Sequence, residues 1–228
     1  MFDFEKYTKI KKNIANLRKN TKIIAISKNH PLMSVEKAIS HGLEIFGENK
    51  VQEAQLKFEK IKKNNDKIKL HLTGPLQSNK VKVAIDLFDV FQTLDREKLL
   101  KEFAKFPKQI EKKSFFIQIN TGKEITKSGI NPEDTKSFLK LCRAYGVKNI
   151  CGLMCIPPIK EDSKKHFKLI NSLSKDNGLG RPSIGMSDDY LDALEFEPQY
   201  IRLGKILFGE RTWETLFFCF HKRPQKAL

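Results

Sequence analysis

The sequence predicts an α/β fold, a single-domain (β/α)8 barrel of the TIM type. Eight short runs rich in β-branched and apolar residues recur along the chain, and longer charged stretches with helical periodicity lie between them. No linker, low-complexity stretch or abrupt change of composition divides the 228 residues. An open doubly wound sheet is the competing arrangement. No G-x-G-x-x-G follows the first strand, which weakens the dinucleotide-binding form of that alternative.

Taken in order, an opening helix fits Phe4, Tyr7, Ile10, Ile14 and Leu17, whose spacings of three and four place them on one face. The first strand, Lys22 to Ser27, is followed by Pro31 and Ser34, a helix entry. Glu44 to Gly47 forms the second strand, and the helix after it shows Glu53, Leu56 and Ile61. Strands three to five are Ile68 to Thr73, Asp89 to Leu94 and Ser114 to Asn120. Asn131-Pro132 opens another helix, with Phe138, Leu141 and Tyr145 along it. Asn149 to Cys155, Pro182 to Met186 and Tyr200 to Leu203 complete the eight, and Ser187 with Asp188-Asp189 starts the helix between the last two. The barrel is read over residues 1–211, and residues 212–228 form an atypical C-terminal tail.

The formal net charge is +16, which raises a nucleic-acid reading. Of the 43 basic residues only seven are arginine, and the lysines fall in scattered pairs such as Lys11-Lys12 and Lys164-Lys165. Base and phosphate recognition leans on arginine and interleaved aromatics, so these lysines read as solvated helix faces and no nucleic-acid partner is expected. The start, MFDFEKYTKI, has no secretory pattern, and the cluster Leu216-Phe217-Phe218 is too short to span a bilayer. A soluble cytoplasmic protein without a membrane partner is the expectation. The four cysteines lack paired zinc spacing and read as buried reduced thiols, with Cys151 and Cys155 on one strand face, so no metal site is expected.

In such barrels the active groups come from the C-terminal ends of the strands. Those exits read Ser27-Lys28, Gly47-Glu48-Asn49, Thr73-Gly74, Gln92-Thr93, Gln118 with Asn120, Met154, Ser187, and Arg202 with Gly204. Polar or small residues stand at nearly every exit, which points to one ligand site on one face. Lys28 closes the apolar run IIAIS; a desolvated stem lowers an amine's pKa and makes it nucleophilic toward an aldehyde. The last two exits, Ser187 and Gly204, lie where barrels often bind phosphate.

The runs AISKNHP, IFGENKVQEA, HLTGPLQSNK, QINTGKEITKSGI, GLMCIPP, SIGMSDDYLDAL and IRLGKILFGER resemble, in order, the motif series of the pyridoxal phosphate (PLP) homeostasis protein family. These proteins are related to the N-terminal barrel of alanine racemase, and the resemblance runs from about Thr21 to Arg211. It implies a fold-type III barrel in which Lys28 carries pyridoxal 5'-phosphate as a Schiff base. Asn49 then lines the cofactor, and His71 lies in the motif of the third strand. Met186 and Ser187 match positions at the ring and phosphate, Arg202 matches the arginine facing the pyridine nitrogen, and Gly204 with Lys205 matches the phosphate cup. It also implies PLP buffering or delivery in a monomer, with apo PLP-dependent enzymes as acceptors and no assigned catalytic residue. The chain departs from the pattern at Lys205, usually Ser or Thr, at Glu197-Pro198-Gln199-Tyr200, and at Thr73. The rival readings are a small PLP-dependent racemase, for which His71 is the one ionisable candidate at the exits, and a cofactor-free Schiff-base aldolase.

Overall fold

The computed structural model describes residues 1–17 and 20–210, and the tail 212–228 lies outside the described residues. One sheet contains β1 (Lys22–Ile26), β2 (Ile45–Glu48), β3 (Lys69–Leu72), β4 (Val90–Leu94), β5 (Ser114–Ile119), β6 (Ile150–Cys155) and β7 (Tyr200–Leu203), in the order β6-β5-β4-β3-β2-β1-β7. Every pairing is parallel. The two outer strands meet through Ser183, which bridges Met154 on one side and Tyr200 on the other. Ser183 N–H donates to Leu153 O at 2.9 Å, and Gln199 N–H to Pro182 O at 2.7 Å. The staves therefore close into a ring. The expected seventh strand, Pro182 to Met186, is corrected to this single bridged residue. Pro182 has no N–H to donate, and Gly185 leaves the extended conformation at φ +88°.

Helices follow the strands: α1 (Phe4–Asn16), α2 (Leu32–Ser40), α3 (Val51–Asn64), α4 (Val81–Leu87), α5 (Glu97–Phe103), α6 (Pro107–Ile110), α7 (Thr135–Ala144), α8 (Ser163–Asp176), α9 (Tyr190–Leu194) and α10 (Lys205–Phe208). Their ends follow local chemistry. The Asp3 carboxylate accepts Lys6 N–H, and the Asp162 carboxylate accepts Lys164 N–H, each at 3.0 Å, so orphan donors of α1 and α8 are satisfied. After α2 the chain turns at Gly42, φ +82°, and Leu43 N–H returns to Ala38 O at 3.1 Å. The helix between the last two strands begins at Tyr190, three residues after Ser187, with Asp189 as its N-cap.

Alternation along the strands sorts the core. Ala25, Phe46, Phe91, Phe115, Ile117, Leu153 and Ile201 pack with the helices. Ile24, Ile26, Val90, Phe116, Met154 and Tyr200 form a separate cluster inside the ring. On the outer side Phe91 stacks on Phe115 at 5.4 Å between ring centroids, and Phe103 of α5 meets both edge-on.

Three details differ from expectation. Phe4 and Leu17 are 44% and 52% exposed, because the buried stripe of α1 is only Tyr7, Ile10 and Ile14. Leu56 on α3 faces solvent. Cys151 and Cys155 belong to opposite faces, since a register shift between Phe115 and Phe116 displaces the start of β6 against β5. Cys142 and Cys155 are buried free thiols whose pKa burial pushes up to about 12, whereas Cys151 is only half-buried and Cys219 lies outside the described residues. Among the described residues no helix is long and apolar enough to cross a membrane, and no His/Cys/Asp/Glu group could hold a metal ion.

Candidate functional site

The sheet register arranges the inward residues in layers. Ile26 pairs with Gly47, and Gly47 with His71. Just past these strand ends stand Asn49 and Thr73, and Lys28 in the turn after β1, all nearer the C-terminal mouth than His71. Thr73 Oγ1 donates to Asn49 Oδ1 at 3.0 Å, which fixes the amide of Asn49. The exits of β2 and β3 approach so closely that a Cβ at Gly74 would lie 2.5 Å from the carbonyl oxygen of Asn49. Lys28 is half-buried in the turn after β1, and the next residue, Asn29, has φ +60°.

His71 is enclosed. Its Nδ1 lies 3.0 Å from Gln92 Nε2, and its ring meets Tyr200 edge-on at 4.9 Å. Desolvation lowers its pKa to about 3, so the imidazole is neutral. His71 therefore forms a floor below the strand exits.

On β7, the direct neighbour of β1, Arg202 pairs with Ile24 in register and is buried. Its Nη1 donates to Ser183 O at 2.7 Å and to Ser183 Oγ at 3.1 Å, and its Nη2 donates to Cys155 O at 2.8 Å. None of these three bonds uses Nε. Burial pulls the guanidinium below its ordinary pKa, opposed by Cys155 and Asp189, and it stays charged.

The turns at residues 187 and 204 come together: Ser187 Oγ accepts Ile206 N–H at 3.4 Å. Met186 N–H donates to the Asp189 carboxylate at 2.5 Å, which sets the direction of the chain into Ser187. Gly204 sits where a Cβ would only touch Ile26, at 3.4 Å. A cleft of about 340 Å³ opens beside it, lined by Ile26, His30, Gly204, Lys205, Gly209 and Glu210. The side chain of Lys205 turns to Glu210, Nζ to Oε1 2.6 Å, so its backbone is what it presents at the start of α10.

The structure thus places Lys28, Asn49, Met186, Ser187, Gly204 and Lys205 at the C-terminal end of the ring, with His71 beneath and Arg202, level with Ile24, on the stave next to β1. Sequence reasoning missed Thr73 as the partner of Asn49, and Ser183 and Cys155 as the supports of Arg202. It also missed a buried group under the Lys28 turn. There Lys57 Nζ lies 2.6 Å from Glu48 Oε1 and 2.9 Å from Glu53 Oε1. The only signal for that group was the i, i+4 spacing of Glu53 and Lys57, common on any solvated helix.

The donor set suits one kind of ligand. A primary amine at the mouth fits an aldehyde, a guanidinium on the neighbouring strand fits a ring nitrogen acceptor, and a hydroxyl with backbone N–H groups at residues 187 and 204–206 fits a phosphate.

The family model described as alanine racemase, N-terminal domain, matches residues 6–212. A pyridoxal phosphate homeostasis protein of Buchnera aphidicola subsp. Schizaphis graminum is 38% identical over 211 residues, 87% of this chain and 90% of that protein. The structure of PipY from Synechococcus elongatus PCC7942 without PLP superposes with a TM-score of 0.80 at 26% identity, covering 90% of this chain and 99% of that one. The same protein with PLP bound gives 0.72 at 28% identity, covering 87% and 99%.

Proposed function

The chain belongs to the alanine racemase N-terminal domain family, and from that premise we propose that it is a pyridoxal 5'-phosphate-binding protein of intracellular PLP homeostasis, holding the cofactor on Lys28. The observation that carries the reading is the grouping of Lys28, Asn49 and Thr73 at one mouth beside a buried Arg202 and the paired 187 and 204 turns. Lys28 Nζ is the attachment point, as a Schiff base. Asn49, held by Thr73, borders the ring beside it. Arg202 offers an edge to the pyridine nitrogen while its terminal nitrogens are committed to the barrel wall. Ser187 and the backbone of Gly204 and Lys205 form the phosphate cup, with Met186 over the ring. When bound, the cofactor supplies an aldehyde that conjugates amines and a ring that withdraws electrons.

Storage and delivery without robust turnover is the finer part of the proposal, as is a cytoplasmic monomer serving apo PLP-dependent enzymes. The relatives are named for homeostasis, not for a reaction. A racemase needs a second acid-base group facing Lys28. His71, the candidate at the exits, is neutral, bonded to Gln92 and farther from the mouth.

Borohydride reduction of the PLP-treated protein, followed by peptide mapping, tests the reading. The pyridoxyl group is expected on Lys28 and absent in Lys28→Ala. The same preparation is expected to exchange the α-proton of alanine far more slowly than about 1 per second, the low end of ordinary turnover. An adduct mainly on another lysine refutes the site, and exchange at enzyme rates refutes the carrier role.

A further inference from the structure

Residues 27–30 form the turn that carries Lys28, and their backbone is gripped from below. Lys57 Nζ donates to Ser27 O at 2.7 Å and to His30 O at 3.3 Å, the carbonyls on either side of the lysine. Asn29 N–H donates to Glu53 Oε1 at 2.5 Å. Ser27 Oγ donates to Glu48 Oε1 at 2.7 Å. The same Glu48 and Glu53 oxygens hold Lys57. All of this lies on the helix side of the sheet, away from the lumen, with Glu48 fully buried and Lys57 nearly so.

Such a group is costly to bury and adds little net stability compared with apolar residues of similar volume. What it supplies is direction. Three backbone groups flanking one side chain are bound by one charged unit, and the residue following that side chain sits at positive φ, a conformation that needs support. We propose that Glu48, Glu53 and Lys57 are positioning residues that set the backbone of residues 27–30 and so aim Lys28 at the cofactor. The proposal rests on Lys28 being the attachment point. The unit acts through the turn and never touches the ligand.

The test compares Lys57→Met with Lys57→Arg and with a control, Lys62→Met, which removes the part-buried lysine paired with Asp89 at the opposite end of the barrel. The first readout uses cofactor-free protein: limited acetylation by acetic anhydride, with the rate at Lys28 mapped by mass against exposed Lys101. Lys57→Met is expected to change that ratio by about threefold or more, since small misplacements of a reacting group carry large rate effects. It is also expected to weaken PLP about tenfold and to move the absorption band of the bound cofactor. Lys57→Arg is expected to restore most of each signal, and Lys62→Met to leave all three unchanged even where it lowers the melting temperature. Equal shifts in Lys57→Met and Lys62→Met, or no shift in Lys57→Met, overturn the proposal.

Should Lys57→Met fail to fold, Glu53→Gln and Glu53→Ala give the same discrimination. Gln keeps an acceptor for Asn29 N–H and retains Lys28 reactivity, whereas Ala loses it; equal behaviour of the two refutes the assignment. The acetylation arm needs no PLP. Wild-type protein that places PLP on another lysine defeats the reading of the site, and the positioning of Lys28 is still measured.

Discussion

Burial raises the carboxyl pKa of Glu48 to about 7, against an ordinary value of 4.5, with the Lys57 ammonium opposing the shift and Glu53 adding to it. Between those two values the unfolded chain has released a proton that the folded protein still holds. The group's contribution to stability is therefore full below pH 4.5 and is lost as pH rises through about 7. Glu48→Gln keeps an acceptor for Ser27 and Lys57 but cannot ionise. The stability of the wild type relative to this variant is expected to fall across that window, by at most about 3 kcal/mol. Urea denaturation at several pH values reads it, and a flat difference contradicts the shift. At this scale the sequence showed which residue types stand at the strand exits, Lys28 and Arg202 above all. It did not show who holds them, because Ser183 and Cys155 reach Arg202 only once the ring closes.

Elements were legible wherever an apolar run was long enough to be buried on both faces, as in SFFIQI of β5, where the expected strand Ser114 to Asn120 overran the observed one only by Asn120. The seventh stave was not, because Gly180, Pro182 and Gly185 leave only Ser183 in register; its apolar pattern is that of a strand and its backbone is not. The short helix α10 carries too few turns to show a period, and of α9 only the start was legible, from Ser187 with Asp188-Asp189. Packing between elements makes its own prediction. Phe91 of β4 touches Phe115 of β5 and Phe103 of α5, and all three rings are buried. Phe91→Ala is expected to cost about 3–5 kcal/mol, with the denaturant midpoint moving and the slope unchanged. A loss under about 1 kcal/mol means that the neighbouring rings collapse into the space.

For the whole molecule, the parallel barrel was readable from the alternation of strands and helices. The vertical order was not, because strand lengths in a sequence do not give shear, and His71 proves to lie below the strand exits. Closure is also uneven. Six pairings join strand directly to strand, while the seam between β6 and β7 depends on residues 182–185 and on the side chain of Arg202. Amide hydrogen exchange is expected to be faster at Ser183 and Ile184 than within β2 to β5, and equal protection contradicts this uneven closure. A ring with one weak joint opens there first. Arg202 fastens that joint with its two terminal nitrogens, and if its remaining edge meets the cofactor as proposed, a bound cofactor is expected to help keep the joint shut. Exchange at residue 183 then becomes a gauge of occupancy: in a mixed population, the slowly exchanging fraction counts the filled molecules without any reference to their colour.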